Sequence, residues 1–168
     1  MYRVKRVEKF FLRGLFASNG NTFQNISDSL LNFNRNQNPI SSSDLPDVNV
    51  PTTSIHNLNR FAISSNNQSL IFVAADNGLY KTIDGGRTWV YLRLPVKSNN
   101  GTVPISTVSL GSGDTLVYAG AENTVYKSLN GGDSWQVQSI ATGATIYYIL
   151  VDPQLSQIAY VGLNGDHR

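Results

Sequence analysis

The chain has 168 residues, no cysteine and a formal net charge of +2, with 40% hydrophobic and 14% charged residues. The lack of cysteine excludes disulfides, thiolate metal sites and cysteine nucleophiles. No apolar stretch reaches the roughly 18 residues that a transmembrane helix requires. Charged residues usually make up about 25% of a soluble domain, and here Asn and Ser, with 18 of each, take up the difference. This composition favours β-sheets and turns over helices.

Positive charge is concentrated at the N-terminus. Residues 1–16 carry a local net charge of +4, whereas the remaining 152 residues carry −2. The body of the chain therefore lacks the basic surface that is typical of nucleic-acid binding, and no nucleic-acid partner is predicted for it.

Residues 1–17 are predicted to form a short amphipathic helix, because their apolar side chains recur at spacings of three and four. We interpret this head as an anchor that docks the chain into a larger protein assembly. A membrane-surface helix or transit peptide, a secretory signal and a plain basic tail are the alternatives, although Arg13 interrupts the apolar run that a signal peptide needs. The residues expected to contact a partner are Arg3, Arg6, Lys9, Phe11, Arg13 and Leu15.

Residues 18–54 are predicted to be a linker or an extended arm. Asn, Ser, Pro and Asp dominate the segment, and it has almost no hydrophobic periodicity. Such a stretch buries too little apolar surface to offset its conformational entropy. The sequence thus divides into a head (1–17), an arm (18–54) and a body (55–168).

The body alternates short runs rich in Val, Ile, Tyr and Thr with Asn-Gly and Gly-Gly turns, which is typical of antiparallel strands. The predicted strands lie within residues 60–65, 69–75, 78–83, 87–94, 103–110, 114–120, 123–129, 133–140, 145–152 and 156–162.

The body also repeats itself. The sequence YKTIDGGRTW, from Tyr80 to Trp89, is echoed by YKSLNGGDSW, from Tyr126 to Trp135, exactly one period of 46 residues later. A period in the forties with four short strands in each copy indicates β-propeller blades. The predicted fold class is therefore all-β, with blades at about 55–97, 101–143 and 144–168.

The stretch from Thr82 to Trp89 fits the pattern Ser/Thr-x-Asp-x-Gly-x-Thr/Ser-Trp. Over about residues 55–166 the chain resembles the BNR/Asp-box β-propellers, which include sialidases, sortilin, xyloglucanases and photosystem II assembly factors. The second copy departs from the pattern at Asn130, where the family has Asp. This resemblance implies the fold strongly but the function weakly, because one fold carries many activities.

The resemblance implies a structural role for the box, on the hairpin between the third and fourth strands of a blade. Its glycines permit positive φ angles, its Asp accepts backbone N–H bonds, and its Trp packs between blades. The residues assigned to this role are Thr82, Asp84, Gly86, Thr88 and Trp89 in the first copy, and Ser128, Asn130, Gly132, Ser134 and Trp135 in the second.

No catalytic set is visible in the sequence, so the chain is predicted not to be an enzyme. The arginine cluster and Tyr–Glu pair of sialidases are missing. A two-carboxylate glycosidase is the alternative, although Asp76 and Glu122 are equivalent in the repeat and need no catalytic explanation. No metal or cofactor is predicted, since His56 and His167 have no partner ligands. The acids at strand ends are Asp76, Asp114, Glu122, Asp152 and Asp166.

Two and a half blades do not close a ring, since propellers typically have four to eight. The chain is either the N-terminal part of a longer propeller, or a short protein whose blades pack on partner proteins, or one subunit of a homo-oligomer in which three chains form six blades.

These patterns favour a structural or interaction protein that docks into a large assembly, such as a virion or tail component, and presents its blades as a binding surface. A virion or extracellular surface is the favoured location. The alternatives are a glycan-binding or glycan-hydrolysing propeller of the sialidase kind and an assembly-factor propeller that holds a partner protein.

Overall fold

The computed structural model describes residues 15–18, 22–33, 54–96, 103–140 and 143–165. In chain order, the elements are β1 (Phe16–Ser18), β2 (Phe23–Asn25), α1 (Asp28–Leu31), β3 (Leu58–Ile63), β4 (Ile71–Ala75), β5 (Gly78–Thr82), β6 (Val90–Leu92), β7 (Thr107–Leu110), β8 (Val117–Ala121), β9 (Thr124–Ser128), β10 (Gln136–Ser139), β11 (Ala144–Val151) and β12 (Ala159–Gly165).

The strands form propeller blades, which confirms the predicted fold class. Strands β3 to β6 make one antiparallel four-stranded sheet in chain order, the first blade, and β7 to β10 make a second, the second blade. Strands β11 and β12 pair with each other in a two-stranded sheet, the third hairpin, and β1 and β2 form another, the N-terminal hairpin. The sequence did not predict the N-terminal hairpin.

The second strand of the first blade is buried on both faces. In β4 all five residues are buried, and because successive side chains of a strand point to opposite faces, they divide between two cores. Phe72 and Ala74 lie in the core shared with the second blade. Ile71, Val73 and Ala75 lie in a separate core on the other face. This two-sided burial explains why the strand is a continuous apolar run rather than an alternating one.

The face of the first blade that lies away from the second is partly covered by the chain's own N-terminal residues. Leu15 and Leu30 are 7% and 0% exposed and belong to the core on that face. The Ser29 hydroxyl donates to the carbonyl of Gly86 at 2.6 Å and accepts a bond from Trp89 Nε1 at 3.0 Å. We call residues 15–33 the cap of the first blade.

The cap corrects two expectations from the sequence. Residues 16 and 17, predicted in the helix over 1–17, lie in β1, and residues 22–33, predicted in a linker or extended arm, contain β2 and α1. The Leu15 side chain is buried against the first blade, so it is not free for the partner contact predicted for it. The rest of the predicted helix, residues 1–14, lies outside the described residues, together with Arg3, Arg6, Lys9, Phe11 and Arg13.

The third hairpin packs on the second blade with one face and leaves the other face open. Ile146 and Ile149 are 0% and 2% exposed, in a core with Tyr118 of the second blade. On the other face, Leu150 and Tyr160, which pair across the two strands, are 58% and 59% exposed. Within the described part of the chain, no helix has the length and hydropathy needed to cross a membrane.

Replacing Leu30 with alanine tests the contact between the cap and the first blade. Because Leu30 is fully buried, Leu30→Ala is expected to lower the free energy of unfolding by about 2–5 kcal/mol, measured by urea denaturation. The same change at Leu129, which is 59% exposed, is the control and is expected to cost less than about 0.5 kcal/mol. If both variants lower the free energy of unfolding by the same small amount, the packing of the cap on the first blade is contradicted.

Candidate functional site

The loop between β5 and β6, residues 83–89, is organised around one carboxylate. Asp84 accepts backbone N–H bonds from Arg87 at 3.0 Å and from Thr88 at 2.9 Å. It also accepts hydroxyl bonds from Thr88 at 2.6 Å and from Thr82 at 2.7 Å. The Thr82 hydroxyl in turn accepts the Gly86 N–H at 3.0 Å. The polar groups of this loop are therefore used to hold the loop itself.

These bonds change the acidity of Asp84. Burial raises the pKa of the carboxyl, but the hydrogen bonds from Thr88, Thr82 and Arg87 stabilise the charged form and outweigh burial, so that the pKa falls from 3.8 to about 2. The group is consequently ionised at any ordinary pH, which suits a fixed acceptor rather than a proton donor.

The equivalent loop between β9 and β10, residues 129–135, has the same shape with an amide at its centre. Asn130 Oδ1 accepts the Ser134 N–H and the Ser128 hydroxyl, both at 2.9 Å. Asn130 Nδ2 donates to the Ser134 hydroxyl at 2.9 Å, where Asp84 instead accepts from Thr88. The departure at Asn130 is thus accommodated by reversing the direction of one hydrogen bond.

One glycine in each loop touches the neighbouring unit. Gly86 and Gly132 have φ angles of 93° and 99°, a region that favours glycine. A Cβ at Gly132 would lie 2.7 Å from Leu92 Cδ1 of the first blade, and a Cβ at Gly86 would lie 2.8 Å from the carbonyl oxygen of Ile26 in the cap. These glycines are required both by the turn and by the contact.

The two loop tryptophans lie at the same contacts. Trp89 is 1% exposed and packs in the core beneath the cap. Trp135 is partly buried against the core between the two blades. Its Nε1 has no hydrogen-bond partner among the described residues, whereas Trp89 Nε1 bonds to Ser29.

Among the described acids at strand ends, Asp76, Asp114 and Asp152 accept hydrogen bonds from other groups of the fold. Asp76 accepts the N–H of Asn57 at 3.1 Å, and Asp114 accepts the Ser64 hydroxyl. Asp152 accepts the N–H groups of Leu155 and Gln154, which lower its pKa. Glu122 is exposed in a tight turn. Asp166 lies outside the described residues.

Histidine offers no metal centre in the described part of the chain. His56 is exposed, and its Nδ1 lies 3.8 Å from Asp76, whereas His167 is outside the described residues. No group of three or more His, Cys, Asp and Glu residues that could hold a metal ion occurs within those residues.

The open groove on the second blade was not predicted from the sequence. In the first blade, Lys81 lies 5.6 Å from the Phe72 ring centroid and donates to the Gly131 carbonyl of the next blade at 3.0 Å. Its equivalent, Lys127, lies 5.5 Å from the Tyr118 ring but faces a groove of about 300 Å³. The repeat itself was the signal that could have located this groove, which is lined by Tyr118, Val125, Lys127, Gln136, Val137 and Gln138.

Comparison with solved structures places the fold among β-propellers. The chain is similar to an ancestral GH74 enzyme, with 18% identity over 64% of this chain and 16% of the enzyme, at a TM-score of 0.54. It is also similar to a GH74 enzyme of Niastella koreensis, with 24% identity over 62% of this chain and 17% of the enzyme, at a TM-score of 0.52. The chain thus spans less than a fifth of each enzyme.

A further solved structure, YCF48 bound to a D1 peptide, has 16% identity over 62% of this chain and 33% of its own length, at a TM-score of 0.45. The sequence matches no protein-family model and no curated protein.

These comparisons overturn one prediction. The sequence predicts that the chain is not an enzyme, because no catalytic set is visible in it. That prediction is wrong, because the solved structures to which the chain is similar are GH74 enzymes. At these identities the likeness shows the fold alone. It assigns no catalytic residue to this chain.

The charge of Asp84 is expected to make stability depend on pH. Because the folded pKa of about 2 lies below the ordinary 3.8, the stabilisation is complete above about pH 4 and is lost as the pH falls toward about 2. Asp84→Asn is expected to lower the free energy of unfolding at pH 7 by about 1 kcal/mol and to flatten its pH dependence in this window. Urea denaturation between pH 2 and pH 7 measures both.

Asn130→Asp is the matched control, since it places a carboxylate in the equivalent loop. It is expected to add pH dependence over the same window rather than remove it. If both variants keep the wild-type profile, the loop carboxylate does not contribute to stability as described.

Proposed function

We propose that the chain is a protein-binding part of an Asp-box β-propeller, and that its open end packs on a protein partner. The open end consists of the outer face of the third hairpin and the groove around Lys127. Assignment to the Asp-box family is supported by the hydrogen bonds of Asp84 and Asn130, which follow the roles that the family resemblance implies.

The observation that carries the proposal is the apolar character of the third hairpin. Monomeric soluble proteins rarely expose a large contiguous apolar patch, and such patches commonly mark protein interfaces. Here, large apolar side chains on two paired strands and their turn are between 39% and 60% exposed. They are Tyr147, Tyr148, Leu150, Leu155, Ile158, Tyr160 and Leu163.

Docking through the basic head remains part of this proposal. Arg3, Arg6, Lys9, Phe11 and Arg13 are the expected contacts, and a virion or tail assembly is the setting that the composition favours. Because Leu15 is buried in the cap, deleting residues 1–14 is the appropriate test. We expect the shortened protein to be lost from the assembly while its free energy of unfolding stays unchanged. If the shortened protein is still incorporated into the assembly, docking through the head is contradicted.

Two charged substitutions test the open end. Leu150→Glu combined with Tyr160→Glu places charge on an exposed apolar face and is expected to reduce capture of a stoichiometric protein from source cells by at least about tenfold. The double variant Ile83→Glu and Leu129→Glu changes exposed apolar residues of the loops, at 69% and 59% exposure, and is expected to capture as the wild type does. Equal capture by both variants would contradict the proposal.

A glycan ligand is the second candidate. It is favoured by the fold shared with GH74 enzymes and by Glu122, which is exposed in the turn between β8 and β9. A glycan array together with a chromogenic glycoside screen tests it. Binding or hydrolysis that Glu122→Gln reduces is expected, and the lack of signal in both assays would remove this candidate.

A further inference from the structure

The loop of residues 129–135 contains an asparagine that is directly followed by a glycine. In such a pair the backbone nitrogen of the glycine can attack the side-chain carbonyl carbon of the asparagine, because glycine has no Cβ to obstruct the approach. Asn130 is exposed, and Gly131 follows it with a φ angle of 70°. The pair therefore has the chemistry that deamidation requires, at the surface of the second blade.

The reaction consumes water and releases ammonia. The Gly131 nitrogen forms a bond to Asn130 Cγ, and the bond from Cγ to Nδ2 breaks. The side-chain amide group leaves as ammonia, taking the proton of the Gly131 nitrogen, and a cyclic imide remains. Water then opens the imide. Opening at Cγ gives aspartate, whereas opening at the main-chain carbonyl carbon gives isoaspartate, in which the chain runs through the side chain.

In the folded chain the attacking nitrogen is engaged in a hydrogen bond. The Gly131 N–H donates to the carbonyl of Thr115 at 2.8 Å, and Gly131 is buried although Asn130 is exposed. Attack on Asn130 removes this N–H from its acceptor and leaves a buried polar group unpaired, which costs free energy. The first blade has the equivalent bond, from the Gly85 N–H to the carbonyl of Ser69 at 3.0 Å. The bond is therefore a repeated feature of these loops.

The Asn130 side chain is fixed as well. Its Oδ1 accepts the Ser134 N–H and the Ser128 hydroxyl, and its Nδ2 donates to the Ser134 hydroxyl, each at 2.9 Å. These three bonds hold the amide in one orientation. A change in its position needs the loop to open, so the rate of reaction depends on how often local opening occurs.

The first blade holds this loop closed. Lys81 Nζ donates to the carbonyl of Gly131 at 3.0 Å. The Ser64 hydroxyl donates to Asp114, which directly precedes Thr115, the residue that accepts the Gly131 N–H. The carbonyl of Gly131 is thus tied to the first blade directly, and its N–H is tied through residues 114 and 115.

We propose that Asn130 is a deamidation site that the contact between the two full blades regulates. While Lys81 and Ser64 hold the loop, the Gly131 nitrogen stays bonded to Thr115 and the reaction is suppressed. When the blades separate, the nitrogen is released and Asn130 is converted. The modification therefore records separation of the blades.

The two products have different consequences for the loop. Aspartate is the residue that the first blade has at this position, and it can accept the Ser134 hydroxyl as Asp84 accepts the Thr88 hydroxyl. Isoaspartate lengthens the main chain by one methylene group and no longer matches the spacing of the loop bonds. Aspartate thus preserves the loop when the blades meet again, whereas isoaspartate disrupts it.

Peptide mapping by mass spectrometry of the full-length chain, incubated at mildly alkaline pH, tests the suppression. Asn130 is expected to deamidate at least about tenfold more slowly in the folded chain than in the chain unfolded in urea at the same pH. Equal rates in the two states would overturn the proposal.

A second asparagine–glycine pair serves as an internal reference for unfolding. Asn77, followed by Gly78, is 4% exposed in the first blade, and its Oδ1 accepts the Tyr80 hydroxyl at 3.0 Å. Because this pair is buried within one blade, we expect it to react when that blade unfolds and not when the two blades separate. The ratio of the rate at Asn130 to the rate at Asn77 therefore distinguishes separation from unfolding.

Two matched variants test the role of the blade contact. Lys81→Met removes the bond to Gly131 but keeps an unbranched side chain over the Phe72 ring. Lys127→Met is the control, because Lys127 has the equivalent place over the Tyr118 ring and the Gly131 carbonyl is bonded by Lys81 instead.

The rate ratio is expected to rise at least about tenfold in Lys81→Met and to stay at the wild-type value in Lys127→Met. An unchanged ratio in Lys81→Met would overturn regulation by the blade contact, and this includes the case in which both asparagines react faster together, because that result indicates unfolding. An equal rise in both variants would overturn it too, since the effect would then not come from the bond to Gly131.

Discussion

The fold depends on one constraint, which is that a propeller blade has two apolar faces and needs a neighbour on each. Strand β4 shows this directly, because alternate residues of one buried strand enter two different cores. The second blade covers one face, and the cap covers most of the other. Apolar burial of this kind contributes roughly 25 cal/mol for each Å² removed from water. A blade face that is exposed to water therefore gains free energy when a partner binds to it.

The loops between the third and fourth strands connect local turn geometry to this stacking. Asp84 and Asn130 hold their loops by internal hydrogen bonds, and this frees Gly86 and Gly132 to face outward at positive φ. Without a Cβ, each glycine lets its neighbour approach closely. Each of the two loops therefore contacts a neighbouring part of the fold through its glycine, while Asp84 and Asn130 hydrogen-bond within the loop.

The blades could be predicted from the sequence because each strand repeats after 46 residues and turn residues separate the runs. The N-terminal hairpin could not be predicted in this way, since its strands have only three residues each. The loop between them, residues 19–22, is also shorter than the loops 83–89 and 129–135 of the repeat. The 3–4 spacing of apolar residues up to Leu15 suggested a helix, but the burial of Leu15 comes from tertiary contact with the first blade. Activity was also beyond prediction, because a shared framework is compatible with catalysis or with binding.

The cap and the contact between the two full blades use the loop tryptophan differently. At the cap, Ser29 bonds both to the Gly86 carbonyl and to Trp89 Nε1, so position and orientation are both fixed. At the contact between blades, Trp135 Nε1 has no partner among the described residues, and the directional bonds run from Lys81 to the Gly131 carbonyl and from the Ser64 hydroxyl to Asp114. Consecutive blades are already held in register by the chain that joins them. The cap has no such short connection to the first blade. Its directional hydrogen bonds select one docking position, because any other position would leave buried polar groups unpaired, which costs free energy.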